Sequence, residues 1–124
     1  MLTAFDHVNV RTSRLDEMIA WYGDVLGMKT GPRPDFSFPG AWLYLGDNAV
    51  VHLVGEKVER RAEDPKLEHV AFRAKGLAAF QDRLTAHGVA WQEGRLEDFG
   101  ILQLNIHDPD GNHLHIDFDL AEAG

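Results

Sequence analysis

Apolar and polar residues alternate through Phe5-Asp6-His7-Val8-Asn9-Val10-Arg11, the period-two signature of a strand with one covered face. The same pattern returns 62 residues later as Leu67-Glu68-His69-Val70-Ala71-Phe72-Arg73, where apolar, acid, His, Val and Arg coincide. A helical stripe follows each copy. In the first half Leu15, Met18, Ile19, Tyr22, Val25 and Leu26 recur at helical spacing, with Ser13 and Asp16 as an N-cap pair and Gly27 as the stop. In the second half the stripe is Leu77, Phe80 and Leu84, and the stop is Gly88. Three strand-like runs follow each helix, near 28–33, 41–46 and 49–54, then near 89–93, 100–107 and 113–119. Gly46-Asp47-Asn48 and Asp108-Pro109-Asp110-Gly111-Asn112 are the turn signals ahead of the last strand of each half.

The chain therefore reads as βαβββ twice: a first module at 1–55, a polar linker at 56–66 and a second module at 67–124, together one domain. A single βαβββ unit exposes an apolar sheet face that it cannot cover by itself. The expected fold class is α+β, with the two modules forming a half-open mixed β-barrel and the helices outside. Sheet edges left over by such units favour pairing, so a homodimer is expected.

Composition narrows the chemistry. The 124 residues carry 12 Lys and Arg against 20 Asp and Glu, a formal charge of −8. Nucleic-acid binding, which needs a cationic surface, is not expected. The absence of cysteine excludes disulfides, thiolate zinc sites, iron–sulfur clusters and cysteine nucleophiles. No apolar run reaches the length of a membrane span, and the opening Met-Leu-Thr-Ala-Phe-Asp-His lacks the features of a signal peptide. A cytoplasmic location with no membrane partner is the expectation.

The histidines carry the chemical signal. His7 and His52 fall in the first and last strands of module one, and His69 and His115 in those of module two, at separations of 45 and 46 residues. Strand alternation puts Val8, Val10, Val51, Leu53, Val70, Phe72, Leu114 and Ile116 on the helix side. The four imidazoles then face the concave side. Converging imidazoles are costly to bury and repel once protonated, and a divalent metal removes both costs. Neutral imidazole suits Fe, Mn, Ni, Zn or Cu, so His7, His52, His69 and His115 are the expected metal ligands. His113 and Asp117 share the nominal face of His115, where they can support a ligand or simply end a strand in solvent. His87 belongs to a helix C-terminus, and His107 is read as structural.

The loop at 31–42, with three prolines and three aromatics, is the expected wall of a small-molecule pocket. Phe36, Phe38 and Trp42 would line it, or equally cap a core, and Arg33 would meet an anion. Gln103 and Asn105 share a face turned toward the metal and can hydrogen-bond substrate.

Together, the paired βαβββ units, Trp21-Tyr22-Gly23-Asp24-Val25-Leu26-Gly27, Glu68-His69-Val70-Ala71-Phe72 and Asp108-Pro109-Asp110-Gly111-Asn112 resemble the vicinal oxygen chelate superfamily, the glyoxalase, bleomycin resistance and extradiol dioxygenase group. The resemblance implies metal ligands at His7, His52, His69 and His115. The last follows Gly111 by four residues, where the family usually has Glu. It also implies a divalent metal that binds neighbouring substrate oxygens and stabilises developing negative charge. Imidazoles at His52 and His115, where a ligating carboxylate would serve as base, tilt the expected chemistry slightly toward dioxygenation and away from glyoxalase-type isomerisation. The competing readings are a metal-free drug-binding module and a closed, non-catalytic metal site. No catalytic acid or base is assignable from the sequence.

Overall fold

The computed structural model describes every residue except Ala62 and Asp64. Both fall in the segment 56–66 expected as a linker, so that part of the expectation lies outside the described residues. The chain divides into two compact units, residues 1–63 and 64–124. Each is an α+β unit with one α-helix and one four-stranded mixed sheet.

The first unit runs β1 (Val8–Thr12), α1 (Leu15–Asp24), β2 (Lys29–Thr30), β3 (Gly40–Leu45) and β4 (Asn48–Gly55). Its sheet order is β1-β4-β3-β2, with β1 parallel to β4 and the other pairs antiparallel. The second unit repeats this with β5 (Val70–Arg73), α2 (Leu77–Ala86), β6 (Gln92–Leu96), β7 (Ile101–His107) and β8 (His113–Asp119), in the order β5-β8-β7-β6. Short 3-10 turns at Glu97–Phe99 and Leu120–Ala123 complete it.

Several boundaries differ from the expectation, each for a local reason. The β1 ladder begins at Val8, paired with Val51, and the β5 ladder at Val70, paired with Leu114. His7 and His69 therefore stand immediately before their strands. The run near 28–33 shrinks to two residues, because Pro32 and Pro34 have no N–H to give a ladder. The run near 89–93 starts late because Val89 finishes α2. Its N–H meets the Leu84 carbonyl at 2.8 Å while Gly88, at φ +66°, bonds the Thr85 carbonyl at 3.1 Å. That is a Schellman closure, which needs the left-handed residue glycine supplies. The N-cap of α1 is Arg14, not Ser13, and no side chain caps it; buried Thr12 instead accepts the Arg14 N–H through Oγ1 at 2.9 Å.

Strand parity sorts each unit into two faces. In the first, Leu43, Val51 and Leu53 are buried on the side of the sheet that α1 covers with Met18 and Tyr22, joined by Val25 just past its end. In the second, Leu102, Leu104, Ile106, Leu114, Ile116 and Phe118 are buried, with Phe118 reaching Phe80 of α2 at 5.7 Å between ring centroids. The other face of β7 and β8 carries Gln103, Asn105, His113, His115 and Asp117, all half-buried. The polar residues thus occupy the face of the sheet that α2 leaves open.

One turn fixes where that face begins. Asp108 is buried, and its Oδ1 accepts the N–H groups of Asp110 and Asn112 at 3.0 and 2.9 Å. Oδ2 accepts the Asn112 side-chain amide at 2.8 Å. The following residue, His113, opens β8.

Candidate metal centre

In the second unit the register lines up Gln92, Asn105, His115 and Ala71 across four strands, with His69 one step before β5. The rings of His69 and His115 stack at 3.9 Å, 10° from parallel. His113, two residues before His115 on the same face, lies 4.8 Å from His115 and 5.5 Å from His69 between centroids. Glu68 joins them: its carboxylate meets His69 Nδ1 at 2.5 Å and His113 Nδ1 at 3.1 Å. The Asn105 side-chain oxygen faces His113 Nε2 at 3.0 Å, and the Asn105 amide nitrogen donates to the Gln92 carbonyl at 3.2 Å.

Glu68, His69, His113 and His115 each offer one ligand-type atom, and these atoms lie within 4.8 Å of one another. Two ligand nitrogens on a tetrahedral ion at about 2.1 Å stand roughly 3.4 Å apart. Side-chain movements of about 1 Å therefore gather the set around an ion. One rearrangement is required. Imidazole binds metal through an in-plane lone pair, and the stacked rings of His69 and His115 send theirs along nearly parallel lines. One of the two must turn for both to hold the same ion. With that turn, the donor set fits a borderline transition ion better than Mg or Ca.

The electrostatics agree with neutral ligands. Burial, then the neighbouring His69 and His113, hold the His115 imidazole below its ordinary pKa. Hydrogen bonds from His69 and His113 hold the Glu68 carboxyl below the usual carboxylate range.

The first unit has a related but different arrangement. Asn9, His52 and Trp42 line up across β1, β4 and β3. His52 lies between two rings, with His7 at 3.7 Å and Trp42 at 3.9 Å, both close to parallel. His7 Nδ1 meets Asp6 Oδ2 at 2.6 Å, and His52 Nε2 reaches the Ala49 carbonyl at 3.0 Å. Burial, then the adjacent His7, lower the His52 pKa. In the repeat register the counterpart of His113 is Val50, so the first unit lacks a third imidazole.

The expected substrate residues divide. The Arg33 guanidinium lies over Phe36 and Phe38, at 4.9 and 5.2 Å from their centroids, and donates to the Phe38 carbonyl at 3.0 Å. Phe36 and Phe38 stack on each other at 4.9 Å, so this trio braces its own loop. Trp42 stacks on His52, and Asn105 is tied to His113. Gln103 lies on the polar face, paired in register with Gly94 and Asp117.

A sequence model of the Glyoxalase/Bleomycin resistance protein/Dioxygenase superfamily matches residues 4–116. The chain belongs to this superfamily. A curated relative, Glyoxylase I 4 of Arabidopsis thaliana, is 33% identical over 123 residues, spanning 93% of this chain and 70% of the plant protein. Among solved structures, a glyoxalase family protein from Bacillus anthracis superposes with a TM-score of 0.79 at 23% identity, covering 96% and 97% of the two chains. A glyoxylase/bleomycin resistance protein/dioxygenase domain from Frankia sp. EAN1pec gives 0.77 at 21%, covering 96% and 99%. At such identities the structural likenesses speak to fold.

Within this superfamily fold, two members of the cluster are not among the ligands expected from the sequence. His113 reads there either as a support for a ligand or as a strand end in solvent, and parity already places it beside His115. Glu68 has a signal in the repeat itself, since an acid precedes the first-strand histidine in both halves, as Asp6-His7 and Glu68-His69.

Proposed function

We propose that this protein is a divalent-metal-dependent enzyme acting on a small molecule with two neighbouring oxygens. The observation that carries the reading is the gathering of three imidazoles and one carboxylate on the helix-free face of the second unit. His69 and His115 form the centre of the ligand set and His113 adds a third imidazole; His7 and His52 are the corresponding pair of the first unit. When bound, the ion supplies Lewis acidity toward the two substrate oxygens. Gln103 offers hydrogen bonds from the same face, and Trp42 offers a flat apolar wall beside His52. Asp117 Oδ1 is buried without a hydrogen-bond partner among the described residues, on the face of His115.

Glyoxalase-type isomerisation is the first chemistry to test, because a relative at 33% identity carries that name. Dioxygenation is the second, because the superfamily whose model matches this chain takes in dioxygenases. The experiment is metal analysis of protein purified without chelator, followed by titration of the metal-depleted protein with Zn, Ni, Mn and Fe. Turnover is then screened with a 1,2-dicarbonyl plus thiol, and by oxygen uptake with catechols. We expect bound metal that is lost in His115→Ala while the circular dichroism spectrum is kept. A protein that neither retains nor takes up any of these ions, yet binds small molecules in the presence of chelator, refutes the reading in favour of a metal-free binding module.

A further inference from the structure

The acid before each first-strand histidine does the same thing in both units. Asp6 Oδ2 lies 2.6 Å from His7 Nδ1, and Glu68 Oε1 lies 2.5 Å from His69 Nδ1. The two contacts form at equivalent positions of the two units, and each histidine stands one residue before its β-ladder. There the strict alternation of a strand does not yet force neighbours to opposite faces. A carboxylate so close to an imidazole nitrogen accepts its proton in a hydrogen bond, and a neutral imidazole carries only one. Fixing that proton on Nδ1 leaves the lone pair on Nε2.

Glu68 also reaches a second ring, that of His113, whose Nε2 is engaged with the Asn105 side-chain oxygen. The Glu68 carboxylate lies 3.1 and 3.2 Å from His113 Nδ1 through Oε2 and Oε1. One side chain thereby contacts two rings 44 residues apart in sequence. Its oxygens are committed to imidazole nitrogens, so a role as direct ligand would break the contacts that arrange its neighbours.

We propose that Asp6 and Glu68 are positioning residues: each holds the Nδ1 proton of the histidine that follows it, so that Nε2 of His7 and of His69 is the atom offered to metal. This rests on the metal reading above and deepens it. It assigns Glu68 outside the ligand shell, a carboxylate–histidine–metal relay of the kind that raises ligand basicity and fixes ring orientation.

Nitrogen-15 long-range correlation spectra of the metal-free protein at pH 8 report the tautomer of each histidine directly. We expect His69 to carry its proton on Nδ1 in the parent. In Glu68→Ala the proton redistributes toward Nε2, and Glu68→Asp restores the parent pattern. Zinc or cobalt affinity is expected to fall about 10- to 100-fold in Glu68→Ala and to recover largely in Glu68→Asp. Stoichiometry stays unchanged throughout, because no ligand is removed. A His69 tautomer unaltered in Glu68→Ala overturns the inference, and so does loss of a bound ion in that variant with the tautomer intact. A parent that takes up no metal overturns the proposed function alone, since the tautomer measurement needs no ion and still decides the role of Glu68.

Discussion

Asp108→Ala tests how the site is positioned. The side chain accepts three hydrogen bonds within the turn, from Asp110 N–H, Asn112 N–H and the Asn112 amide, at 2.8 to 3.0 Å. Hydrogen bonds to a charged acceptor contribute about 1.5–3 kcal/mol each when the partner is sealed from water. Here Asp110 and Asn112 are exposed, so their freed N–H groups can turn to solvent, and about 1 kcal/mol each is the better figure. The total is about 3 kcal/mol. Asp108→Asn keeps an oxygen for the two backbone donors but sets an amide against the Asn112 amide, so roughly a third of that loss is expected. Urea unfolding reads both, as a lower midpoint with an unchanged slope. Because β8 starts one residue after Asn112, Asp108→Ala also loosens His113, and metal affinity should fall with stability. A loss below about 1 kcal/mol in Asp108→Ala, or equal losses in the two variants, refutes the account of the turn.

Three further outcomes follow from the same structure. Leu104→Ala empties a fully buried position and should cost about 2–5 kcal/mol, whereas Gln103→Ala, one residue away on the polar face, should cost under about 1 kcal/mol; similar losses in urea midpoints would refute the face assignment. Glu122 Oε1 accepts the N–H groups of Gly76 and Leu77 at 3.0 Å each, capping α2 from the far end of the unit, so Glu122→Ala should lose about 1–2 kcal/mol, and an unchanged midpoint would show the cap to be dispensable. His52 and His115 both have pKa values lowered by burial and neighbouring imidazoles, so below about pH 6.5 the unfolded chain binds protons that the folded one resists. Stability in chelator should therefore fall as pH drops from 7.5 to 5.5, levelling off once the lowered folded-state values are passed, and a midpoint that rises over this interval would reverse the sign of both shifts.

The fold was legible because its main signals are local. Period-two alternation, a helical stripe ending in glycine and the Asp-Pro-Asp-Gly-Asn turn each act over a few residues, and parity alone put His115 opposite Leu114 and Ile116. The misplaced edges lie where a local pattern met a partner. Phe5 and Asp6 continue the alternation of β1, but the ladder with β4 stops at Val8 and Val51, and Asn48 and Ala49 of β4 pair with β3 alone. The alternation at 89–93 gave way to the closure of α2.

The site was legible only as far as parity reaches. Parity assigns His113 to the polar face but cannot say what it meets there, because that depends on how near the start of β8 comes to the residues ahead of β5. The parallel pairing of β5 with β8 answers this by setting Val70 beside Leu114, which brings Glu68 within reach of His113. In the first unit β1 and β4 pair the same way, yet the residue corresponding to His113 is Val50, and Trp42 occupies the place of Asn105. One duplicated framework thus carries two different surroundings for its histidine pair. An aromatic ring covers His52 in the first, where a third imidazole and a hydrogen-bonded amide flank His115 in the second. Under the proposed function the second unit has donors enough for three contacts to one ion, while the first supplies only the pair His7 and His52. The repeat that is legible strand by strand therefore does not extend to the side chains around each histidine pair.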